Sequence, residues 1–292
     1  MTTMKAISSG KASSEVRVSE MNLQQLKRLL KKRGDVRPKY MFSTVEQATD
    51  IRNYRYVFWL DLMGARNLMR LSLPRAARSV MKIHAAALFA KQQHRELEIN
   101  PVMDGVYGFV RDRDLLEACL AEILGGLANV FVQERVPSSR FMVRAGVAYG
   151  PLIPGNSLAM GAEILQENSR YLGGTAIGMG ISHAYEAEGL APPFGVYVHE
   201  SARAFAPRTK GSYPYRVNMW RWFDDDDALT WATRRTLLAH LDWLEKNPVA
   251  AQYDLDALRR HKSLAIEYFS LHELIAQKND DKPRTSPSRP TL

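Results

Sequence analysis

Two short apolar runs, FWLDLMG at Phe58–Gly64 and PVMDGVYGF at Pro101–Phe109, each carry one carboxylate, Asp61 in the first and Asp104 in the second. Both runs read as strands from their aromatic and branched content. Burying an ionised carboxylate in such a run is costly unless it is paired or holds a cation. Each acid also has a glycine close by, Gly64 and Gly105, where backbone can approach a ligand. The pair therefore points to a two-carboxylate metal site built on adjacent strands.

The chain has 292 residues, 46% of them hydrophobic and 24% charged, enough for one sizeable domain with extensions. Its one cysteine, Cys119 in LLEACLAEIL, excludes an intramolecular disulfide and reads as a buried packing thiol. The first residues lack the apolar core of a signal peptide, and no unbroken apolar run of membrane-spanning length is present. A cytoplasmic location and no membrane span are the expectation. The net charge of +9 permits nucleotides, nucleic acid or lipid as partners without choosing among them.

Residues 1–14 read as disordered, and 15–50 as a basic amphipathic helix over Glu15–Arg33 with a linker. That helix would contact lipid or nucleic acid, or simply pack with its basic face solvated; the basic residues are spread and no RNA-binding motif accompanies them, so nucleic acid is disfavoured. Over 51–223 the order is a strand at Arg55–Leu62, a helix at Leu73–His94, paired strands at Leu97–Val102 and Val106–Val110, a helix capped by Asp112 and running to about Glu134, and a strand at Phe141–Ala148. A glycine-rich strand end then leads into a helix over Gly173–Glu188, followed by strands at Phe194–His199 and Tyr213–Trp222. The fold class is α+β: a mostly antiparallel, ferredoxin-like sheet of split βαβ units with helices mainly on one face. Residues 224–277 form a C-terminal helical appendage, with helices at Leu229–Lys246 and Leu255–Gln277, and 278–292 a disordered tail. The acidic run Asp224–Asp227 reads as a solvated turn.

Hard carboxylate oxygens suit Mg²⁺ or Mn²⁺, and an ion held by so few protein groups completes its shell with water and substrate phosphates. That points to a nucleoside triphosphate. Leu62, Met63 and Gly64 follow the first acid into a helix, so their backbone N–H groups are candidates to cradle phosphate, and the Leu62 carbonyl is a candidate further ligand. Arg66 and Arg70 lie where they would reach phosphates or merely solvate a helix face.

FWLDLMG, MDGVYGF, VRAGVAYGPL and GGTAIGMGISHAYEAE, in that order and spacing, resemble a class III nucleotidyl cyclase domain over roughly Tyr54–Trp222. The resemblance implies that Asp61 and Asp104 hold two metal ions, that the substrate's 3′-hydroxyl attacks its α-phosphorus with loss of pyrophosphate, and that active sites form between two head-to-tail domains of a homodimer. The transition-state Asn and Arg of that family align with Ser182 and Glu186, beside His183. The purine-reading Lys and acid align with Asn100 and Thr175. Lacking the purine-reading set, the chain is similar to the pyrimidine cyclases of bacterial Pycsar antiphage systems, which make cyclic UMP or cyclic CMP for a separate sensing effector. Tyr54 matches the tyrosine that narrows their base pocket, Asn100 would read a pyrimidine edge, and Arg144 matches an arginine frequent in the corresponding strand.

The alternatives are an adenylate or guanylate cyclase and a catalytically inactive, nucleotide-binding regulatory domain. Taken singly, Asp104 is also an ordinary hairpin-turn residue, Asp61 a helix cap, Asn100 a turn opener before Pro101, Tyr54 a sheet aromatic and His183 a packed histidine.

Overall fold

The computed structural model describes residues 51–155, 167–202, 218–251 and 253–271. The basic N-terminal helix and both segments expected to be disordered lie outside the described residues. By contacts the chain divides into two units, one containing residues 153–177 and the other residues 49–152 and 178–292. In the first, β5 (Ile153–Pro154) pairs antiparallel with β6 (Ala176–Ile177), α4 spans Ser169–Gly173, and the Thr175 hydroxyl donates to the Leu172 carbonyl at 2.9 Å.

The second unit is built on β1 (Tyr54–Leu62), β2 (Glu98–Val102), β3 (Gly105–Val110), β4 (Val143–Pro151), β7 (Val196–Val198) and β8 (Met219–Trp220). Their order across the sheet is β2-β3-β1-β4-β7-β8. α1 (Ala65–Leu71) and α2 (Leu73–Gln93) connect β1 to β2, and α3 (Arg113–Gln133) connects β3 to β4. β3 lies between β1 and β2, and β1 between β3 and β4, all antiparallel, which is the split βαβ arrangement expected from the sequence. β7 is the exception: it runs parallel to β4 after the crossover helix α5 (Met179–Glu188). A parallel pair requires such a crossover, and α5 supplies it.

β1 pairs with β4 from Tyr54↔Pro151 to Leu62↔Val143 without a bulge, so its side chains alternate strictly between faces. Phe58, Leu60 and Leu62 join the apolar core beneath α2 and α3. The odd-numbered residues Val57, Trp59 and Asp61 face the other way, where α5 packs: a Cβ on Gly180 would meet Val57 at 2.9 Å, and Tyr185 stands edge-on to Trp59 at 5.1 Å. The helices therefore do not all lie on one side, because the β4–α5–β7 crossover needs its own face.

The caps follow side-chain chemistry. Asp112, Asp227 and Asp254 accept the backbone N–H groups of Leu115, Thr230 and Ala257, opening α3, α6 (Ala228–Lys246) and α8 (Leu255–Tyr268). The acidic run 224–227 is thus more than a solvated turn, since Asp225 also pairs with Arg234. α7 (Pro248–Ala251) links α6 to α8. These C-terminal helices share the sheet's core: Tyr268 and Phe269 are fully buried, and the Tyr268 hydroxyl donates to the Trp220 carbonyl.

β4 begins and ends later than its sequence suggests. Gly150 and Pro151 stay in the strand because Arg55 and Tyr54 pair with them. β8 is short, Met219–Trp220, with residues 213–217 of the expected strand outside the described residues. Among the described residues one helix, α3, is long and apolar enough to cross a membrane, but Leu116, Leu120, Ile123, Leu127 and Phe131 are buried in the core.

α5 lies directly on the β4 backbone at Gly146, where an added Cβ would meet the Ala184 carbonyl oxygen at 2.1 Å and the Glu188 nitrogen at 2.3 Å. Gly146→Ala should therefore cost about 2–3 kcal/mol through displaced backbone. A urea midpoint equal to that of the unsubstituted protein would refute this packing.

Candidate active site

Asp61 lies opposite Gly105 of β3 on one side and Arg144 of β4 on the other. Asp104 is in the two-residue turn, Met103–Asp104, that joins β2 to β3, with Val102 paired to Gly105 behind it. This register carries the hairpin acid to the end of β1 that bears Asp61. Gly105 permits the approach: a Cβ there would meet the Leu60 carbonyl oxygen at 2.2 Å and Asp61 Oδ1 at 2.9 Å.

A third carboxylate joins them. Glu188, the last residue of α5, is 3% exposed and pairs with the Arg144 guanidinium, which also donates to the Gly189 carbonyl at 3.2 Å. Burial, with the charges of Glu188 and Asp104, pushes Asp61 up to about 7, against a hydrogen bond from the Leu62 backbone and the charge of Arg144. Glu188 is likewise raised, by burial and by Asp104, although Arg144 opposes the shift. Asp61 and Glu188 thus share the charge of one arginine, with Asp104 as a further acid acting on both.

This surplus of negative charge is what a divalent cation would neutralise, and oxygen donors suit Mg²⁺ or Mn²⁺. The residues fit such an ion as a two-carboxylate site. Among the described residues no group of three or more His, Cys, Asp and Glu has metal-holding geometry. Asp61 and Asp104 would hold the ion, with Glu188 engaged by Arg144.

The loop after Asp61 is partly committed. The Leu62 N–H serves Asp61, the Met63 N–H donates to the Met142 carbonyl at 2.9 Å, and the Met63 side chain is buried. Gly64 has φ +73°, the left-handed region that glycine enters without strain, and it opens α1. The Tyr253 ring stands over it, 3.2 Å from where a Cβ would be. Tyr253 and His261 hydrogen-bond at 2.9 Å. Burial pushes Tyr253 up to about 12, and burial together with Arg144 and Arg260 pushes His261 down to about 4. Arg66 and Arg70 are exposed on α1.

Asn100 shares Asp61's face of the sheet. It pairs with Tyr107, which pairs with Trp59, so all three form the row next to Asp61. Asn100 is 3% exposed. Trp59 stacks on Tyr107 at 5.8 Å with its ring N–H buried and without a partner among the described residues. The Trp59 N–H is thus a buried donor on this row that water or a ligand could satisfy.

Tyr54 does not join this group within one chain. It is an odd number of residues from Asp61 on an unbroken strand, so it points to the opposite face, roughly 20 Å away at about 3.3 Å per residue. It packs against Tyr149 at 5.4 Å. Ser182 and Glu186 are exposed on α5, and His183 stacks on His199 at 4.2 Å. Glu188, Tyr253 and His261 were not singled out from the sequence. Glu188 had a signal, since it follows Gly180, Ala184 and Ala187 along the small-residue face of a helix. Nothing local marked the other two.

No family model and no curated protein matches the chain. Among solved structures it is similar to the guanylyl cyclase Cya2, at 15% identity and TM-score 0.42, covering 53% of this chain and 78% of that one. It is also similar to the guanylyl cyclase domain of the RhoGC fusion protein from the aquatic fungus Blastocladiella emersonii, at 14% identity and TM-score 0.40, covering 52% and 82%. A bacterial light-regulated adenylyl cyclase matches at 15% identity and TM-score 0.41, covering 68% and 60%. At these identities and scores the likeness does not assign a family.

Because Asp61 titrates near 7 rather than near 3.8, the folded protein holds a proton that the unfolded chain has already lost between those values. Stability contributed by this group therefore falls as pH rises from about 4 to 7. Asp61→Asn should stabilise the metal-free protein at pH 8, by at most about 4 kcal/mol, and leave it unchanged below pH 4. Urea melts at both pH values check this, and a destabilised variant at pH 8 would contradict it.

Proposed function

We propose that this chain is a class III-type nucleotide cyclase, metal-dependent and selective for a pyrimidine nucleoside triphosphate. The carrying observation is the juxtaposition of Asp61 and Asp104 at the end of β1, on a split βαβ sheet, with Gly105 admitting the Asp61 carboxylate.

In this reading Asp61, Asp104 and the Leu62 carbonyl hold two Mg²⁺ or Mn²⁺ ions. Such ions would make the 3′-hydroxyl more acidic and neutralise the departing pyrophosphate. The chain's own groups orient the substrate. The backbone donors still available from Gly64 onward face the phosphates, and Asn100 with the Trp59 N–H offers hydrogen bonds to a base or ribose edge. The 3′-oxygen bonds to the α-phosphorus as the bond to the pyrophosphate oxygen breaks, giving a cyclic monophosphate. Cyclic UMP or cyclic CMP would then serve as a signal for a separate effector, as in antiphage defence.

Tyr54 enters such a site only from a second copy, because it lies on the face opposite Asp61. A homodimer with composite sites accommodates this. Met103, 94% exposed beside Asp104, and the exposed Tyr185 and Leu190 towards the end of α5 give the acidic end an apolar rim for a second subunit. The positions of Ser182 and Glu186 favour a second reading, a nucleotide-binding domain that does not turn over, since neither supplies a cation for the transition state.

Incubation with Mn²⁺ and each ribonucleoside triphosphate, with products read by mass spectrometry, separates these readings. UTP should be converted fastest, then CTP, and Asp61→Asn or Asp104→Asn should each lower turnover on the order of 100-fold or more. Binding without any cyclic product would establish the second reading, and near-normal turnover in either variant would overturn the first. Tyr54→Ala should raise ATP or GTP turnover relative to UTP, and an unchanged base ratio would remove Tyr54 from the pocket.

A further inference from the structure

α2 carries Arg75, Arg78, Ser79 and Lys82 at helical spacings of three, four and seven, which places them on one face. The turn before β4, at Ser138–Arg140, faces them, and together they line an open cleft. Four cations, Arg75, Arg78, Lys82 and Arg140, meet one carboxylate there, Glu134. That acid lies 4.0 Å from Lys82 and does not balance the set. Like charges one turn apart on a helix destabilise it, so the arrangement costs stability unless an anion occupies the cleft.

Two features mark the cleft as a built site. Ser79 is 4% exposed and sets a hydroxyl-bearing side chain in the lining of the cleft. Two of the guanidiniums are held in place: Arg75 donates to the Ser138 carbonyl at 3.3 Å, and Arg140 donates through Nε to the Glu134 carbonyl at 3.0 Å with its cation over the Phe131 ring. Fixed guanidiniums present paired N–H groups suited to phosphate oxygens.

We propose that this cleft is a second anion site, separate from the acidic pair, that binds a small oligophosphate group. The lining includes no aromatic ring, so nothing there stacks a base, and recognition falls on the phosphates. The cations converge in a bowl and do not extend as a stripe, which fits a compact anion better than a nucleic-acid backbone. Its wall continues into a neighbouring cleft, since Leu68, Arg75, Ser138 and Arg140 also line the space reaching Met63, Gly64 and Tyr253. An anion here would therefore adjoin the loop that follows Asp61. The proposal does not depend on the cyclase reading, because its test involves no turnover.

The test is calorimetric titration of the full chain with inorganic tripolyphosphate, without divalent metal, at low salt. Binding should weaken at least tenfold in an Arg78→Gln, Lys82→Gln double variant and fall as sodium chloride is added. It should persist in Asp61→Asn, Asp104→Asn protein. Equal affinity in the cleft variant, or loss of binding only in the acid variant, would overturn the assignment. Tighter binding of single-stranded RNA, lost in the same cleft variant, would overturn the small-anion class. Arg140→Gln gives an independent reading from the opposite wall, with circular dichroism confirming that each variant is folded.

Discussion

The structure turns on keeping charged carboxylates inside the sheet. Asp61 is on the central strand, with backbone on both sides and α5 across its face. Such a placement is tolerable only because Arg144 supplies a cation one strand away and Gly105 leaves room for the carboxylate. Glu188 holds Arg144 in turn. The result is a charge cluster with an acid in excess, poised to take up a proton or a metal ion. Water-exposed acids would bind the same cation far more weakly, because the protein field there is screened.

Glycines set the distances. Gly105 brings β3 against Asp61, Gly146 lets α5 rest on β4, and Gly64 turns the chain from β1 into α1 at a positive φ. Because α5 sits on the backbone of β4, Glu188 at its end reaches Arg144. The packing of a helix on a strand thereby fixes the electrostatics of the acidic pair. On the opposite face, α2 and α3 share one apolar core with α6 and α8, so the C-terminal helices stabilise the sheet that carries the acids.

The sheet and its helices were largely legible from local chemistry. Pro74 and Asp112 marked the starts of α2 and α3, and the hairpin at Met103–Asp104 was visible in the apolar runs on either side. The separate face taken by α5 was not legible, because a small-residue helix carries a weak amphipathic signal. For the site, the sequence picked out Asp61, Asp104 and Asn100 and suggested Tyr54 beside them. Strand parity separates Tyr54 from the others, a consequence of an unbroken nine-residue strand that no motif match reveals.

By itself the sequence determined that two carboxylates sit in strand-forming runs and that β1 must be central, because apolar alternation and turn residues act over a few neighbours. Only the tertiary structure decided that Glu188 and Arg144 join Asp61, that Tyr253 covers Gly64, and that four basic side chains share one bowl with a buried serine. Each of these depends on residues far apart in the chain meeting across packed elements, and long-range packing leaves no periodicity in the sequence to read.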